Sequence, residues 1–299
     1  DYTGGGCPHI LAEPQRTNSE IKSNEFSTWS ISSNVTPTAD YIVSPDGTQN
    51  ATRLQFTGNG YRANSTSSLV LRTVSCYAKR NDSGTQSVGF FINGSGVVDS
   101  AWSLTSDWVR FTYTFTPTSG SYIGIAGLSG ADISVFGFQL EEGSYATSLI
   151  PTSGSTVTRN QDIFTRDGIG SLINSTEGVL FVEFKTLSET GTFRQFNLSK
   201  DSGNRIYITK RGDSGNLEFR MENPSGNLNF TFAENTTNDF VKVAFRYGLN
   251  NFAVFIDGVN KNVTSTGNVF ASGTLNTLEF DSPLSQPFYG KVKQLQVYD

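Results

Sequence analysis

The side chains able to do bond-breaking chemistry are few and scattered. His9 is the sole histidine in 299 residues. A multi-histidine metal centre therefore cannot form within one chain. A Ser-His-Asp triad would have to draw its base from beside the N-terminus, and His9 next to Pro8 reads as an ordinary packed or exposed residue. The two cysteines, Cys7 and Cys76, allow one disulfide. Cys76 sits in a strand-like run, where a small buried apolar residue belongs. Glycoside hydrolysis needs two carboxyl groups facing each other across the scissile bond. Glu141 and Glu142 are adjacent, and adjacent strand residues point to opposite faces, so both are expected to be solvated charge. Asp201-Ser202-Gly203-Asn204 and Asp281 offer loop oxygens that calcium could use, but no acid-rich loop surrounds either. Arg211-Gly212-Asp213 reads as a Gly-Asp turn.

The remaining candidates suit contact. Sugar rings present apolar C–H faces with a fringe of hydroxyls, so exposed aromatics stack on the faces while Asn, Asp, Gln and Arg bond the fringe. In the first half the candidates are Trp29, Tyr61 and Trp102. Trp102 falls in an expected loop and has the weakest core role of the three tryptophans. Trp108 heads a strand and is expected in the core. In the second half Arg194, Asn204, Tyr207, Arg211 and Tyr289 fall at expected strand ends or loop edges.

The elements that must position these residues are strands. In Val109-Arg110-Phe111-Thr112-Tyr113-Thr114-Phe115 the apolar side chains alternate with polar ones, which is a half-buried antiparallel strand. Similar runs cover 52–57, 69–79, 87–93, 122–127 and 133–140. Around Gly137 the apolar parity switches, which predicts a bulge. After the polar stretch 151–156 come runs at 178–185, 194–198, 205–210, 217–221, 228–232, 240–247, 251–257, 274–280 and 291–298. Val241, Val243 and Phe245 precede Tyr247-Gly248-Leu249-Asn250, and Phe252, Val254 and Ile256 follow it, as in a β-hairpin. The fold class is all-β: two tandem antiparallel β-sandwiches of jelly-roll type after an extended N-terminal arm. The expected divisions are an arm at 1–19, a sandwich at 20–150, a connector at 151–165 and a second sandwich at 166–299.

Composition excludes some partners. With 22 basic against 27 acidic residues, a net charge of -5 and no basic block, the chain is not built for nucleic acid. No apolar run of about 18 residues exists, so no membrane insertion is expected. The opening Asp1-Tyr2-Thr3-Gly4-Gly5-Gly6 does not read as a signal peptide.

Two stretches carry a family resemblance. Gly4-Gly5-Gly6-Cys7-Pro8 with Glu13-Pro14-Gln15-Arg16-Thr17-Asn18 resembles an opening of phage tail and fibre proteins. The run from Phe136 to Ser148, with Ile150-Pro151-Thr152 and Thr158-Arg159, resembles the last strand and exit of their carbohydrate-binding-module-like jelly roll. The second half is similar to laminin-G/concanavalin-A-like lectin domains at 178–184, 252–258 and 288–298. The resemblance implies a non-enzymatic fibre or decoration protein on a virion surface, made in bacterial cytoplasm. Such a protein would adhere to cell-surface or environmental glycans, contact other virion proteins through its arm, and assemble as a homotrimer. Calcium occurs in both resembled folds, although Gln139 stands where first-domain relatives often carry an acid, and no cofactor is required. Lectin-like glucanases carry Glu-x-Asp-x-x-Glu; here Glu279-Phe280-Asp281 is followed by Leu284, so the third acid is missing. Three alternatives stay open: a structural decoration without glycan ligand, a polysaccharide depolymerase, and a secreted bacterial carbohydrate-binding protein.

Overall fold

A strand with one apolar face needs a second sheet to cover it, and the chain satisfies this requirement twice. The structure, a computed structural model, describes residues 8–66, 70–84, 87–92, 102–117, 121–187, 193–281 and 286–299. It contains two compact units, Gln15–Asn160 and the pair of segments Asp1–Pro14 and Gln161–Asp299. All sheets are antiparallel. Residues 10–12 and 16–18, expected as part of an extended arm, are strands. The first, β1 (Ile10–Ala12), belongs to the second unit, with Ala12 in that unit's core.

The unit Gln15–Asn160 is built from β2 (Arg16–Asn18), β3 (Ser30–Ile31), β4 (Val35–Ile42), β5 (Ala51–Phe56), β6 (Gly60–Thr66), β7 (Arg72–Arg80), β8 (Val88–Ile92), β9 (Val109–Phe115), β10 (Ser121–Gly127), β11 (Asp132–Glu142) and β12 (Val157–Arg159). One sheet has the order β3-β6-β10-β8, the other β4-β5-β11-β7-β9, and β2 pairs with β12. Val74, Cys76 and Ala78 of one sheet pack with Phe90, Ile123 and Ile125 of the other in a shared core. The expected bulge is present: the β11–β7 register shifts between Phe136 and Gln139. Gly137 sits there at φ 65, a conformation that residues with a Cβ rarely adopt.

The second unit adds β13 (Thr165–Arg166), β14 (Glu177–Thr186), β15 (Arg194–Asp201), β16 (Asn204–Lys210), β17 (Leu217–Glu222), β18 (Leu228–Phe232), β19 (Val241–Gly248), β20 (Phe252–Ile256), β21 (Val259–Thr264), β22 (Thr277–Glu279) and β23 (Gly290–Tyr298). Its sheets run β1-β23-β14-β19-β20-β21 and β13-β22-β15-β16-β17-β18. The expected hairpin joins β19 to β20, with Asn250 at φ 56 in the turn. Leu180, Val182, Val243 and Phe245 from one sheet meet Phe196, Ile206, Ile208 and Phe219 from the other.

Several sequence expectations change here. Trp102 is core: it is 3% exposed, stacks on Phe111 at 4.6 Å and meets Phe90 edge-on at 4.8 Å. Trp29 is also core, against Phe26 and Phe138 at 4.8 Å each. Trp108, expected in the core, is half-buried just before β9, its Nε1 donating to the Val43 carbonyl at 3.2 Å. Glu141 is not solvated. It is wholly buried at the end of β11, where it accepts hydrogen bonds from the Thr147 backbone (3.0 Å) and hydroxyl and pins the exit of the strand. Cys76 is a free, buried thiol, and burial pushes its pKa up to about 12; Cys7 lies outside the described residues.

Candidate functional site

In the strands β15, β16 and β17 the apolar residues Phe196, Leu198, Ile206, Ile208, Leu217, Phe219 and Met221 all face the core. Alternation then forces Gln195, Asn197, Ser199, Arg205, Tyr207, Thr209, Glu218, Arg220 and Glu222 onto the other face of the sheet. That face is expected to be wet. Instead Gln195, Asn197, Ser199, Arg205, Tyr207, Thr209 and Glu218 are all buried among one another. Neighbouring strands lie about 4.8 Å apart, so long polar side chains lie against their cross-strand partners.

Antiparallel register sets the pairs. Gln195 is opposite Thr209, and its Nε2 donates to the Thr209 hydroxyl at 2.7 Å. Asn197 is opposite both Tyr207 and Glu279, and its Nδ2 donates to Glu279 at 2.8 Å. Arg205 is opposite Glu222 and binds it through Nε at 2.7 Å. The guanidinium of Arg205 lies 4.5 Å from the Tyr207 ring centroid, and the Tyr207 hydroxyl donates to Glu222 at 3.0 Å. Arg211 binds Glu218 at 2.7 Å. Arg220 stands between the two acids, 3.7 Å from Glu218 and 3.4 Å from Glu222. Burial first, and the charge of Glu222 second, raise the pKa of Tyr207, so its hydroxyl keeps its proton.

The hydrogen bonding on this face is incomplete. Gln195 Oε1, Asn197 Oδ1, Arg205 Nη1, Glu218 Oε1 and Arg220 Nε are buried and have no hydrogen-bond partner. Most buried polar groups in folded proteins are satisfied, and each orphan costs about 1–3 kcal/mol. Five on one sheet face around one tyrosine make a preformed set of unused acceptors and donors. Four of the five, Gln195, Arg205, Glu218 and Arg220, line a cleft of about 190 Å³ with Phe193 and Gln286, and Asn197 is not part of its lining.

The candidates of the second half divide. Tyr207 and Arg211 belong to the cleft. Arg194 and Tyr289 pair with each other instead, guanidinium 4.6 Å from ring centroid, and the Tyr289 hydroxyl donates to Gln161 at 2.6 Å. Asn204 binds the Asp201 carboxylate across the β15–β16 turn at 3.0 Å. That carboxylate also accepts from the Gly203 N–H at 2.9 Å, so it serves the turn. Asp281 follows β22 by two residues. Among the described residues no three His, Cys, Asp or Glu side chains converge as a metal set would. Arg211-Gly212-Asp213 is closed on itself, with Arg211 Nε 3.0 Å from Asp213. The sequence reading missed Gln195, Asn197, Arg205, Thr209, Glu218, Arg220 and Glu222. Their polar alternation across three consecutive strands was visible, but it is also what any solvated face shows.

In the unit Gln15–Asn160, Tyr61 remains exposed, at 38%. It stacks face to face on Phe91, centroids 4.4 Å apart. The two rings come from strands on either side of β10, which presents only Ala126 and Gly124 opposite them, so nothing keeps the rings apart. A further cavity of about 470 Å³ is lined by His9, Ile10, Ile163, Phe164, Phe280 and Leu295 among others. Its lining is mainly apolar, and His9 meets the Phe240 ring edge-on at 5.7 Å.

No family model matches the chain, and no curated protein matches it. Solved structures of similar fold include the CBM40 of Ruminococcus gnavus IT-sialidase bound to α2,3-sialyllactose. It shares 15% identity over 45% of this chain and 91% of that one, with a TM-score of 0.36. The N-terminal tandem CBM22 domains of Paenibacillus barcinonensis Xyn10C share 12% identity over 92% and 96%, with a TM-score of 0.33. Domains LG4-5 of the mouse laminin α1 chain share 11% over 98% and 94%, with a TM-score of 0.31.

Proposed function

We propose that the chain binds glycans without cleaving them, through the β15–β17 face centred on Tyr207. The observation that carries this reading is the cluster of buried, unpartnered polar atoms there. In the cleft the set contains acceptors (Gln195 Oε1, and Glu218 Oε1, which faces Arg220 at 3.7 Å without a hydrogen bond) and donors (Arg205 Nη1, Arg220 Nε). A ligand that satisfies both kinds must donate and accept at close spacing, as vicinal hydroxyls do. A phosphate dianion would satisfy only the arginines. The exposed Tyr61–Phe91 stack offers the N-terminal sandwich an apolar platform for a ring face.

The depolymerase alternative draws on the Tyr207–Arg205–Glu222 cluster. Glu218 and Glu222 both touch Arg220, at 3.7 and 3.4 Å, and are held in addition by Arg211 and Arg205, so both carboxylates are engaged by guanidinium groups and do not face each other across an open cleft. Tyr207, held protonated, is poorly suited to be the base of an eliminating lyase. Adhesion to a host or to environmental glycan, as a trimeric fibre or decoration on a virion, is the setting we propose. It rests on the resemblance to phage fibre proteins of the opening motif, Gly4–Pro8 with Glu13–Asn18, and of Phe136–Ser148 with Ile150-Pro151-Thr152 and Thr158-Arg159. The Gly4–Cys7 part of the opening motif lies outside the described residues, and strands β1 and β2 occupy much of the proposed contact arm.

A glycan-array screen of the intact protein, with and without calcium, tests the reading. Arg220→Ala and Gln195→Ala, both in the cleft lining, should abolish specific binding while the fold persists. Binding that survives both variants would move the site off this face. An array without hits, on correctly assembled protein, would favour a structural decoration. Release of unsaturated fragments from any bound polysaccharide would replace binding with lyase chemistry.

A further inference from the structure

A different feature stands out in the unit Gln15–Asn160. In β7 the residues Arg72, Val74, Cys76 and Ala78 share one face, and the last three are core. Arg72 thus places a guanidinium at the end of an apolar row, where it is 5% exposed. A buried guanidinium normally engages a carboxylate through two parallel bonds. Arg72 has weaker support. Its Nη1 donates to the Ser19 hydroxyl at 2.6 Å, its Nη2 reaches Glu142 at 3.3 Å, and its buried Nε has no partner. Glu142 lies directly across the strand pair, yet its side chain is 68% exposed and touches Arg72 through one oxygen. Burial outweighs Glu142 and lowers the pKa of Arg72, the sign of a cation short of compensating charge.

Beside this group is a cavity of about 400 Å³ lined by Gln15, Arg16, Thr17, Ser19, Arg72 and Glu142. The Arg16 guanidinium is fixed on its wall, 5.3 Å from the Tyr145 ring centroid. It passes so close to Gly143 that a Cβ there would meet Nη2 at 2.9 Å. The lining carries two cations, one anion and three neutral hydrogen-bonding side chains, and no apolar one.

We propose that this cavity binds the carboxylate of an acidic sugar residue of uronic-acid type, which displaces Glu142 from Arg72. The carboxylate takes the place of the single long contact to Glu142. The ring hydroxyls meet Gln15, Thr17 and Ser19; the Ser19 hydroxyl donates to the Leu140 carbonyl at 2.8 Å and the Thr17 hydroxyl pairs with Thr158 at 2.7 Å, so these two serve the ligand as acceptors while the Gln15 amide can donate or accept. The site is separate from the Tyr207 face and does not depend on it.

The test is an NMR titration of the full chain with glucuronate, with glucose as neutral control and acetate as bare carboxylate. Glucuronate should shift the signals of Arg16, Ser19, Arg72 and Glu142, and glucose should not. Because Glu142 competes with the ligand, Glu142→Gln should tighten glucuronate binding about three- to tenfold. This exposed side chain can change without unfolding the sandwich. Arg16→Ala should weaken binding by a similar factor. Equal response to glucose, unchanged or weaker binding by Glu142→Gln, or no response to glucuronate would overturn the proposal. Acetate binding as tightly as glucuronate would overturn its sugar component.

Discussion

Gln195→Met separates a face built for a ligand from one built for stability. Gln195 is buried on β15, donates from Nε2 to the Thr209 hydroxyl at 2.7 Å, and leaves Oε1 without a partner. Methionine has nearly the same length and volume and no polar atom. The substitution removes the bond to Thr209 and the 3.5 Å contact to Gln286, and it leaves the buried Thr209 hydroxyl unpaired, a cost of about 1–3 kcal/mol. It also relieves the orphaned Oε1, a gain of about 1–3 kcal/mol. The two offset, so the midpoint of thermal unfolding should stay within about 4 °C of wild type. Glycan affinity should fall, because the ligand loses an acceptor that had no competing partner, and a tenfold loss corresponds to about 1.4 kcal/mol. Circular-dichroism melts of the full chain, paired with titration of whichever glycan the array identifies, measure both quantities. A fall of several degrees with unaltered binding would refute the reasoning, because Oε1 would then be serving the fold. A rise in stability with binding intact would show that the orphan atoms are real but that the ligand lies elsewhere.

Trp102→Ala should destabilise the N-terminal sandwich by about 3–5 kcal/mol, since it empties a stacked position between Phe90 and Phe111; chemical denaturation measures it. The Asp132 carboxylate is held below its usual range mainly by its hydrogen bonds to Arg53, one of them 2.8 Å from Nε. A depressed folded pKa contributes stability above the ordinary Asp value of about 3.9, and that contribution is lost as pH falls through the folded value. Wild type should therefore melt above Asp132→Asn at pH 6, and the gap should close toward pH 2. Deleting residues 8–14 should lower the stability of the C-terminal sandwich alone. It strips β1 from β23 and removes the bond from the Glu13 N–H to Asp162, each lost bond being worth about 0.5–1.5 kcal/mol. Limited proteolysis of the two units would show the asymmetry.

Much of this protein is determined by sequence alone, because a half-buried strand must alternate. Val109 to Phe115, Val241 to Phe245 and Phe252 to Ile256 declare their strands and faces with no tertiary information, and the parity switch at Gly137 declares its bulge. Strands without a buried face carry no such signal. β21 is almost wholly exposed at a sheet edge, and β1 and β2 are three residues each, so all three escaped. Tertiary packing decided the rest. Local sequence could not rank Trp29, Trp102 and Trp108, since a residue outside a strand can still close a core, as Trp102 does on Phe111. Nor could it show that the polar faces of β15, β16 and β17 lie in register and bury one another around Tyr207. That depends on which strands become neighbours, and neighbour choice is set by contacts far apart in the chain. Glu279 meets Asn197 across eighty-two positions of sequence, and only the folded sheet brings them within 2.8 Å.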